Sequence, residues 1–332
     1  MLISLIVPIR NEQAGLERFW QSITAALGQS SYQFELVMID DGSSDDSWRL
    51  ISEFTAIDRP WLEVTALRLS RNFGKEAAIL AGLRKAGGSA AIVLDADLQH
   101  PPELIPKMLE LWEMGKTPIV EAVKRTRQHE SFLKRIGASL YYRIFRLSSG
   151  LDMQGASDFK LLDRHVMEQY INLPETNRYF RGLTAWMGFD SVAIEFEPPD
   201  RETGESGWSL RNLLELARTT IISFSSLPLR LVTWLGVAGL IFSLVLTIQT
   251  LWYKWMGYAE EGFPTVILLI LGIGSMILFS LGLIGEYIGE IYREVKRRPS
   301  YIVSDTLSTS GGSSQPISER SADTVAASVD EE

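Results

Sequence analysis

The sequence predicts an α/β protein: a domain built on a mostly parallel sheet, followed by two transmembrane helices. Three observations carry that reading. Short apolar runs alternate with segments of helical spacing from Met1 to about Val123. Charged and amide residues stand directly after those runs. Two stretches near the C-terminal end, Leu231–Tyr253 and Phe263–Gly285, carry no charged residue.

The elements follow in order. Ile3–Pro8 is a short apolar run ended by proline, the pattern of a buried strand. Leu16, Phe19, Trp20, Ile23 and Leu27 then recur at helical spacing. Phe34–Ile39 is a second strand, closed by Asp40-Asp41-Gly42. Ser43 or Ser44 is placed to cap a helix running through Ile57. Leu62–Leu69 is a third strand, and Lys75–Ala86 a helix stopped by Gly87-Gly88. Ala91–Leu94 is a fourth strand, ending in Asp95-Ala96-Asp97. Pro102 opens the next helix, to about Met114, and Ile119–Val123 is a fifth strand. Such alternation argues for a parallel sheet covered on both faces, which binds ligands beyond the carboxyl ends of its strands. Arg10-Asn11-Glu12, Asp40-Asp41-Gly42-Ser43, Ser70-Arg71-Asn72 and Asp95-Ala96-Asp97 all fall at those ends. Together they mark one rim as a site.

Composition narrows the chemistry. The 332 residues include no cysteine and only His100, His129 and His165 as histidines. Disulfide scaffolds, thiolate metal sites and cysteine nucleophiles are excluded, and so is a His-rich metal cage. A net charge of −9 argues against nucleic acid as a partner. No Walker loop is present and no GxGxxG follows the first strand, so ordinary NTPase and dinucleotide functions fit poorly.

The two uncharged stretches suit a membrane, because about 20 apolar residues at 1.5 Å rise cross a ~30 Å hydrocarbon core. Trp234, Trp252, Tyr253, Trp255 and Tyr258 lie towards their ends, as interfacial aromatics do. Arg211, Arg218 and Arg230 precede the first stretch, and Arg293, Lys296, Arg297 and Arg298 follow the second. The excess of bases places the domain and both termini in the cytoplasm, in a multi-pass protein of the cell (inner) membrane. Met1–Ile9 lacks the basic region of a signal peptide. The expected organisation is a domain over 1–208, a juxtamembrane amphipathic helix over 209–230, transmembrane helices over 231–253 and 263–288, and a disordered cytoplasmic tail over 300–332. A core helix would show the same pattern as 209–230; its place before a span favours the interface.

Asp95 and Asp97 are the sharpest chemical signal. Alternate carboxylates at a strand end, with the Gln99 amide two residues on, offer the oxygen donors that Mg²⁺ or Mn²⁺ takes. An Asp that caps the helix after Pro101-Pro102 is the equally weighted alternative. Asp41 can accept hydrogen bonds from a base or ribose, whereas Asp40 ties the turn. His100, His129 and His165 read as solvent or packing residues. Lys124, Arg125, Arg127, Lys134, Arg135, Arg143 and Arg146 cluster before Gly150. A solvated helix face is the usual explanation of such a run, though the cluster stands out in an acidic chain.

Val7-Pro8-Ile9-Arg10-Asn11-Glu12, Asp40-Asp41-Gly42-Ser43, Arg71-Asn72-Phe73-Gly74-Lys75-Glu76 and Asp95-Ala96-Asp97-Leu98-Gln99-His100-Pro101-Pro102 occur in that order. The set resembles the family 2 glycosyltransferases of GT-A (Rossmann-like) fold. More closely, it resembles the polyprenyl-phosphate glycosyltransferases: dolichyl-phosphate mannose synthases, bactoprenol glucosyltransferases and the aminoarabinose transferase of lipid A modification. Ser157-Asp158-Phe159-Lys160, Arg178-Tyr179-Phe180-Arg181-Gly182 and Arg201-Glu202-Thr203-Gly204-Glu205-Ser206-Gly207-Trp208 continue the resemblance. Ser157 and Lys160 depart from the Gly and Arg of many relatives, and Gly207 from their Lys or Tyr.

The resemblance implies a role for each matched position. Pro8, Asn11, Glu12 and Asp41 would line a nucleotide-sugar pocket, with Asp95, Arg201 and Ser206 on the diphosphate. Asp95, Asp97 and Gln99 would hold Mg²⁺ or Mn²⁺. Arg125 and Arg135 would bind the acceptor lipid phosphate. Asp97 and Asp158 would be catalytic, Asp158 near the sugar and the attacking oxygen. The implied reaction is inverting transfer of a sugar, glucose from UDP-glucose first, to polyprenyl (undecaprenyl or dolichyl) phosphate. A GDP-mannose or modified-arabinose donor, a processive polysaccharide synthase and a non-catalytic scaffold are the alternatives. The expected partners are the nucleotide sugar, the lipid, the membrane and further copies of the chain, as a dimer or tetramer.

Overall fold

The computed structural model describes residues 1–28, 30–115, 117–124, 157–176, 178–196, 227–257 and 262–309. The first half runs β1 (Leu2–Ile9), α1 (Leu16–Leu27), β2 (Gln33–Asp40), α2 (Ser47–Thr55), β3 (Leu62–Leu69), α3 (Lys75–Lys85), β4 (Ala90–Val93), α4 (Ile105–Gly115) and β5 (Ile119–Lys124). It continues as β6 (Lys160–Asp163), α5 (Arg164–Asn172), α6 (Phe180–Trp186), β7 (Ser191–Phe196), α7 (Leu227–Trp255), α8 (Phe263–Val295) and β8 (Val303–Ser308).

The strands form one sheet in the order β7-β5-β6-β4-β1-β2-β3-β8. β1 pairs in parallel with β2 and β4, and β2 with β3. β6 runs antiparallel to both β4 and β5, and β7 is parallel to β5. Among the described strands only β6 and β8 therefore oppose the common direction. β1 is buried on both faces, which is why it reads as a continuous apolar run without alternation. Ile3, Leu5, Val7 and Ile9 face the core shared with α1, α2 and α4. Ile6 faces the other core, with α3, α5 and α6. Gly82 lets α3 lie close on the sheet, since a Cβ there would collide with Ile6 and Ile39. A larger residue at 82 would lift α3, and with it the loop at its N-terminus.

β1, β2 and β3 step outward in one direction, and the chain then returns to lay β4 on the other side of β1. The switch point is therefore between β1 and β4. Ile6 O accepts from Leu94 N on the β4 side. Residues two apart share a strand edge, so the missing N–H of Pro8 also faces β4, beyond its last residue, Val93. No ladder bond is lost, and the two strands part there.

Two expectations are corrected. Neither Ser43 nor Ser44 caps α2, which starts at Ser47 after an Asp46 without a side-chain cap bond. Both serines serve the rim instead, as described below. Nor is the chain disordered from 300: β8 pairs antiparallel with β3, with Leu307 opposite Ala66 and Asp305 opposite Arg68. Leu307 packs on one core, Tyr301 and Val303 on the other. The exposed edge of β3 supplies hydrogen-bond partners that composition does not reveal. The rest of the tail, 310–332, and the expected amphipathic helix up to residue 226 lie outside the described residues.

α7 and α8 are 29 and 33 residues long, and both are long and apolar enough to cross a membrane. Most of their described side chains are exposed, with Trp234 and Leu278 each at 72%. At 1.5 Å per residue α8 extends ~50 Å, beyond one bilayer core. Its last turns carry Glu286, Glu290, Arg293 and Glu294. Glu294 reaches the domain, accepting from both the N–H and the hydroxyl of Thr176.

Candidate active site

The carboxyl ends of β1 and β2 are laced together. Asn11 stands at φ 53°, a left-handed turn that asparagine tolerates. Its N–H donates to Ser43 Oγ (3.0 Å), and its Oδ1 accepts from Ser44 N–H (2.8 Å). Glu12 N–H donates to Ser47 Oγ (3.0 Å). Asp40 accepts from Ser43 N–H (3.1 Å) and lies 3.3 Å from Arg68 Nε, so it ties the turn. Asp41 is buried, and burial raises its carboxyl above the usual range. Its oxygens accept from Phe73 N–H (2.7 Å) and Gly74 N–H (2.9 Å), which fixes the loop entering α3. Gly42, at φ 66°, passes so near Arg71 and Asn72 that any Cβ would clash. Pro8, Asn11, Glu12 and Asp41 thus stand at the carboxyl ends of β1 and β2, tied to each other's loops and to the loop entering α3.

Asp95 and Asp97 follow β4 with Ala96 buried between them, and both are half-buried. Asp97 Oδ1 accepts Gln99 N–H (3.0 Å), bridging Leu98 at φ 57°. The Asp97 turn bond and a ligand role are compatible, since a carboxylate has further lone pairs. Asp95 N–H donates to His100 Nδ1 (3.1 Å). That nitrogen also lies 3.7 Å from Asp95 Oδ2. His100 is buried and stacked on Phe159, with ring centroids 5.2 Å apart. It supports the Asp95 backbone from behind.

Asp158 brings the rim together. It lies in the turn before β6 and is 5% exposed. Arg181, from α6, grips it side-on, Nε to Oδ1 at 2.7 Å and Nη2 to Oδ2 at 2.8 Å. Lys75, at the start of α3, lies 2.6 Å from Asp158 Oδ2 and 2.6 Å from Asp95 Oδ1. Burial would raise the Asp158 carboxyl, but the Arg181 hydrogen bonds and the Lys75 charge outweigh it and hold the group well below the usual range. The same pairs outweigh desolvation at Lys75 and Arg181 and raise both. Asp158 is accordingly a fixed anion and a poor base at neutral pH. Two carboxylates and two cations alternate here as one network.

Lys75 and Arg181 carry no role in the sequence-based assignment, though both sit in its motifs. Lys75 had a readable signal: a cation in the first turn of a helix opposes the helix dipole and needs an anionic partner. Lys160 does not face the rim. It is buried, 2.9 Å from Glu121 and 3.1 Å from Thr184 Oγ1, and ties β5, β6 and α6 together. Ser157 donates to the Ala122 carbonyl. Arg125, Arg135, Arg201 and Ser206 lie outside the described residues. Among the described residues no three His, Cys, Asp or Glu side chains gather to hold an ion alone. The Asp95 and Asp97 pair therefore fits an ion that draws most of its shell from a bound diphosphate and water, as Mg²⁺ does.

Fold and site together define an α/β enzyme with a charged network at the switch point of its sheet and an apolar helical hairpin after it. The chain belongs to glycosyl transferase family 2, whose pattern matches residues 4–170. The domain is accordingly GT-A-like. A second pattern, the GtrB C-terminal hairpin, matches residues 227–291. The SfII prophage-derived bactoprenol glucosyl transferase of Shigella flexneri is 37% identical over 314 residues, covering 91% of this chain and 97% of that one. The uncharacterized glycosyltransferase YkcC of Bacillus subtilis is 36% identical over 305 residues, covering 90% and 92%. Among solved structures, glucosyl-3-phosphoglycerate synthase from Mycobacterium tuberculosis, in complex with phosphoglyceric acid, is 18% identical with a TM-score of 0.48, covering 67% and 77%.

Proposed function

We propose that this glycosyltransferase moves a sugar, glucose from UDP-glucose first, onto the phosphate of a polyprenyl phosphate such as undecaprenyl phosphate. The setting is the cytoplasmic face of the cell (inner) membrane, with both termini on that side. The observation that carries the proposal is the pairing of the charged rim with two exposed apolar helices in one chain. A soluble acceptor would need no such hairpin; a lipid acceptor cannot leave the bilayer. The names of the bactoprenol glucosyl transferase relatives support the same acceptor and sugar.

Pro8, Asn11, Glu12 and Asp41 line the nucleotide side of the rim, with Arg201 and Ser206 assigned to the diphosphate. Asp95, Asp97 and Gln99 would hold Mg²⁺ or Mn²⁺, which when bound neutralises charge on the departing diphosphate. A phosphate oxygen of the acceptor is already anionic at neutral pH and needs no general base. The fixed anion of Asp158 suits that chemistry, because it holds Lys75 and Arg181 at the rim and takes no proton. Arg125 and Arg135 are assigned to the acceptor phosphate. A single in-line displacement inverts the anomeric carbon. Gly236, Gly272 and Gly274 leave room for a helix of a second copy, which supports association as a dimer or tetramer.

The test is a donor panel. Purified protein in detergent, undecaprenyl phosphate and Mg²⁺ or Mn²⁺ are mixed with UDP-glucose, UDP-galactose, UDP-N-acetylglucosamine or GDP-mannose. Transfer of label to the organic phase from UDP-glucose, lost with a chelator, is the expected result. Transfer from another donor alone replaces the sugar. Transfer from none overturns the proposal.

A further inference from the structure

The first helical residue of α6, Phe180, donates its N–H to Glu76 Oε2 at 2.8 Å. The N–H groups of a first helical turn have no partner within their own helix. Tyr179, at the cap position of α6, makes no side-chain cap bond to that helix. Glu76 therefore supplies the missing cap from another helix, across 104 residues of chain. The next residue along α6 is Arg181, which grips Asp158. The residue before Glu76 is Lys75, which grips the same carboxylate. Both cations on Asp158 thus take their place from one junction between α3 and α6.

We propose that Glu76 is a positioning residue for sugar transfer: its carboxyl fixes the start of α6 and so sets the hold of Arg181 on Asp158. The inference rests on the transferase function proposed above. Desolvation at this junction, with the Asp158 charge nearby, pushes the Glu76 carboxyl up to about 8. Largely protonated at neutral pH, it accepts the Phe180 N–H without competing with Asp158 for Lys75 and Arg181. A neutral acceptor is all the junction needs, so glutamine can replace it.

The experiment compares Glu76→Leu, Glu76→Gln, Arg181→Lys and the Glu76→Leu/Arg181→Lys pair in the full chain. A misplacement of about 1 Å is enough to cost ~100-fold in rate. Glu76→Leu is expected to lower kcat by roughly 10- to 100-fold at little-changed donor KM, and Glu76→Gln to restore it to within about threefold. The double variant is expected to be no more than about twofold worse than Arg181→Lys, because one effect runs through the other. Wild-type kcat in a folded Glu76→Leu protein overturns the inference, and so do multiplicative losses in the pair. If the wild type transfers no sugar, the transfer proposal falls on its own. The junction is then read from urea unfolding of the same four proteins. Non-additive midpoints support the coupling, and additive ones overturn it.

Discussion

Glu294, in the last turn of α8, receives both the N–H (3.0 Å) and the hydroxyl (2.9 Å) of Thr176. Thr176 lies in the segment that joins α5 to α6. Arg178 in the same segment donates to the carbonyls of Tyr170, Leu173 and Glu175, closing the C-terminal end of α5. The end of an apolar helix is thereby bonded to the segment that carries Arg181. Glu294→Ala should lower unfolding stability by about 1.5–3 kcal/mol, the scale of hydrogen bonds to a charged acceptor. Thermal unfolding in detergent checks this, and Thr176→Val should add little to it.

Asp158→Asn keeps the shape but leaves Lys75 and Arg181 facing a neutral group. Transfer should fall about a hundredfold or more, on the scale of a lost transition-state electrostatic contact. The acid limb of unfolding should change too. Asp158 sits below its ordinary 3.8 in the folded chain, so its stabilisation is present above that pH and lost as pH falls below it. Circular dichroism between about pH 5 and about pH 2 should show a shallower decline in the variant.

Glu76 has the opposite sign. Its carboxyl rises from 4.5 to about 8 on folding, so the folded chain holds a proton that the unfolded chain releases. Stability from this group is full below pH 4.5 and is lost as pH rises through about 8. Lys75, Asp158, Arg181 and Tyr170 are the charged and titratable groups acting on it. Glu76→Gln should flatten the slope, which cannot exceed on the order of 1.4 kcal/mol per pH unit for one proton. Urea midpoints at about pH 6 and about pH 8.5 measure it.

Asp95→Ala should abolish Mn²⁺ binding in the presence of UDP, read by electron paramagnetic resonance. Lys75 keeps Asp158 as a partner, so the melting temperature should hold within a few degrees. A variant that binds Mn²⁺ normally would remove Asp95 from the metal site.

Much of this is legible in the sequence. Leu62–Leu69 matches β3 residue for residue. β1, β2, β4 and β5 differ from expectation by no more than one residue at either end, because buried parallel strands are uniformly apolar and end at polar rims. Asn11, Glu12, Asp41, Asp95 and Asp97 stand after strands at those rims, as the sequence places them, whereas Pro8 is singled out by the resemblance alone. The Asp158 network is only partly legible. Its members come from α3, the end of β4, the turn before β6 and α6, and nothing local to Arg181 marks which carboxylate it reaches. Glu76 reads as an ordinary acid in a helix's first turn, and only the packing of α6 against it shows its task. β8 escapes the sequence because a Ser- and Thr-rich segment gains its order from the edge it meets.

That edge has a consequence for how the protein is made. β8 bonds to β3 across some 245 positions of chain, with Val64 N–H donating to Thr309 Oγ1. On the ribosome, β3 emerges before either apolar helix, and β8 only after both. The β3 edge of the sheet therefore stays open until both apolar helices have been made, a border of the kind that invites association with other chains. Closure of that edge needs residues that follow both helices, so a closed β3 edge marks a chain already made past the hairpin.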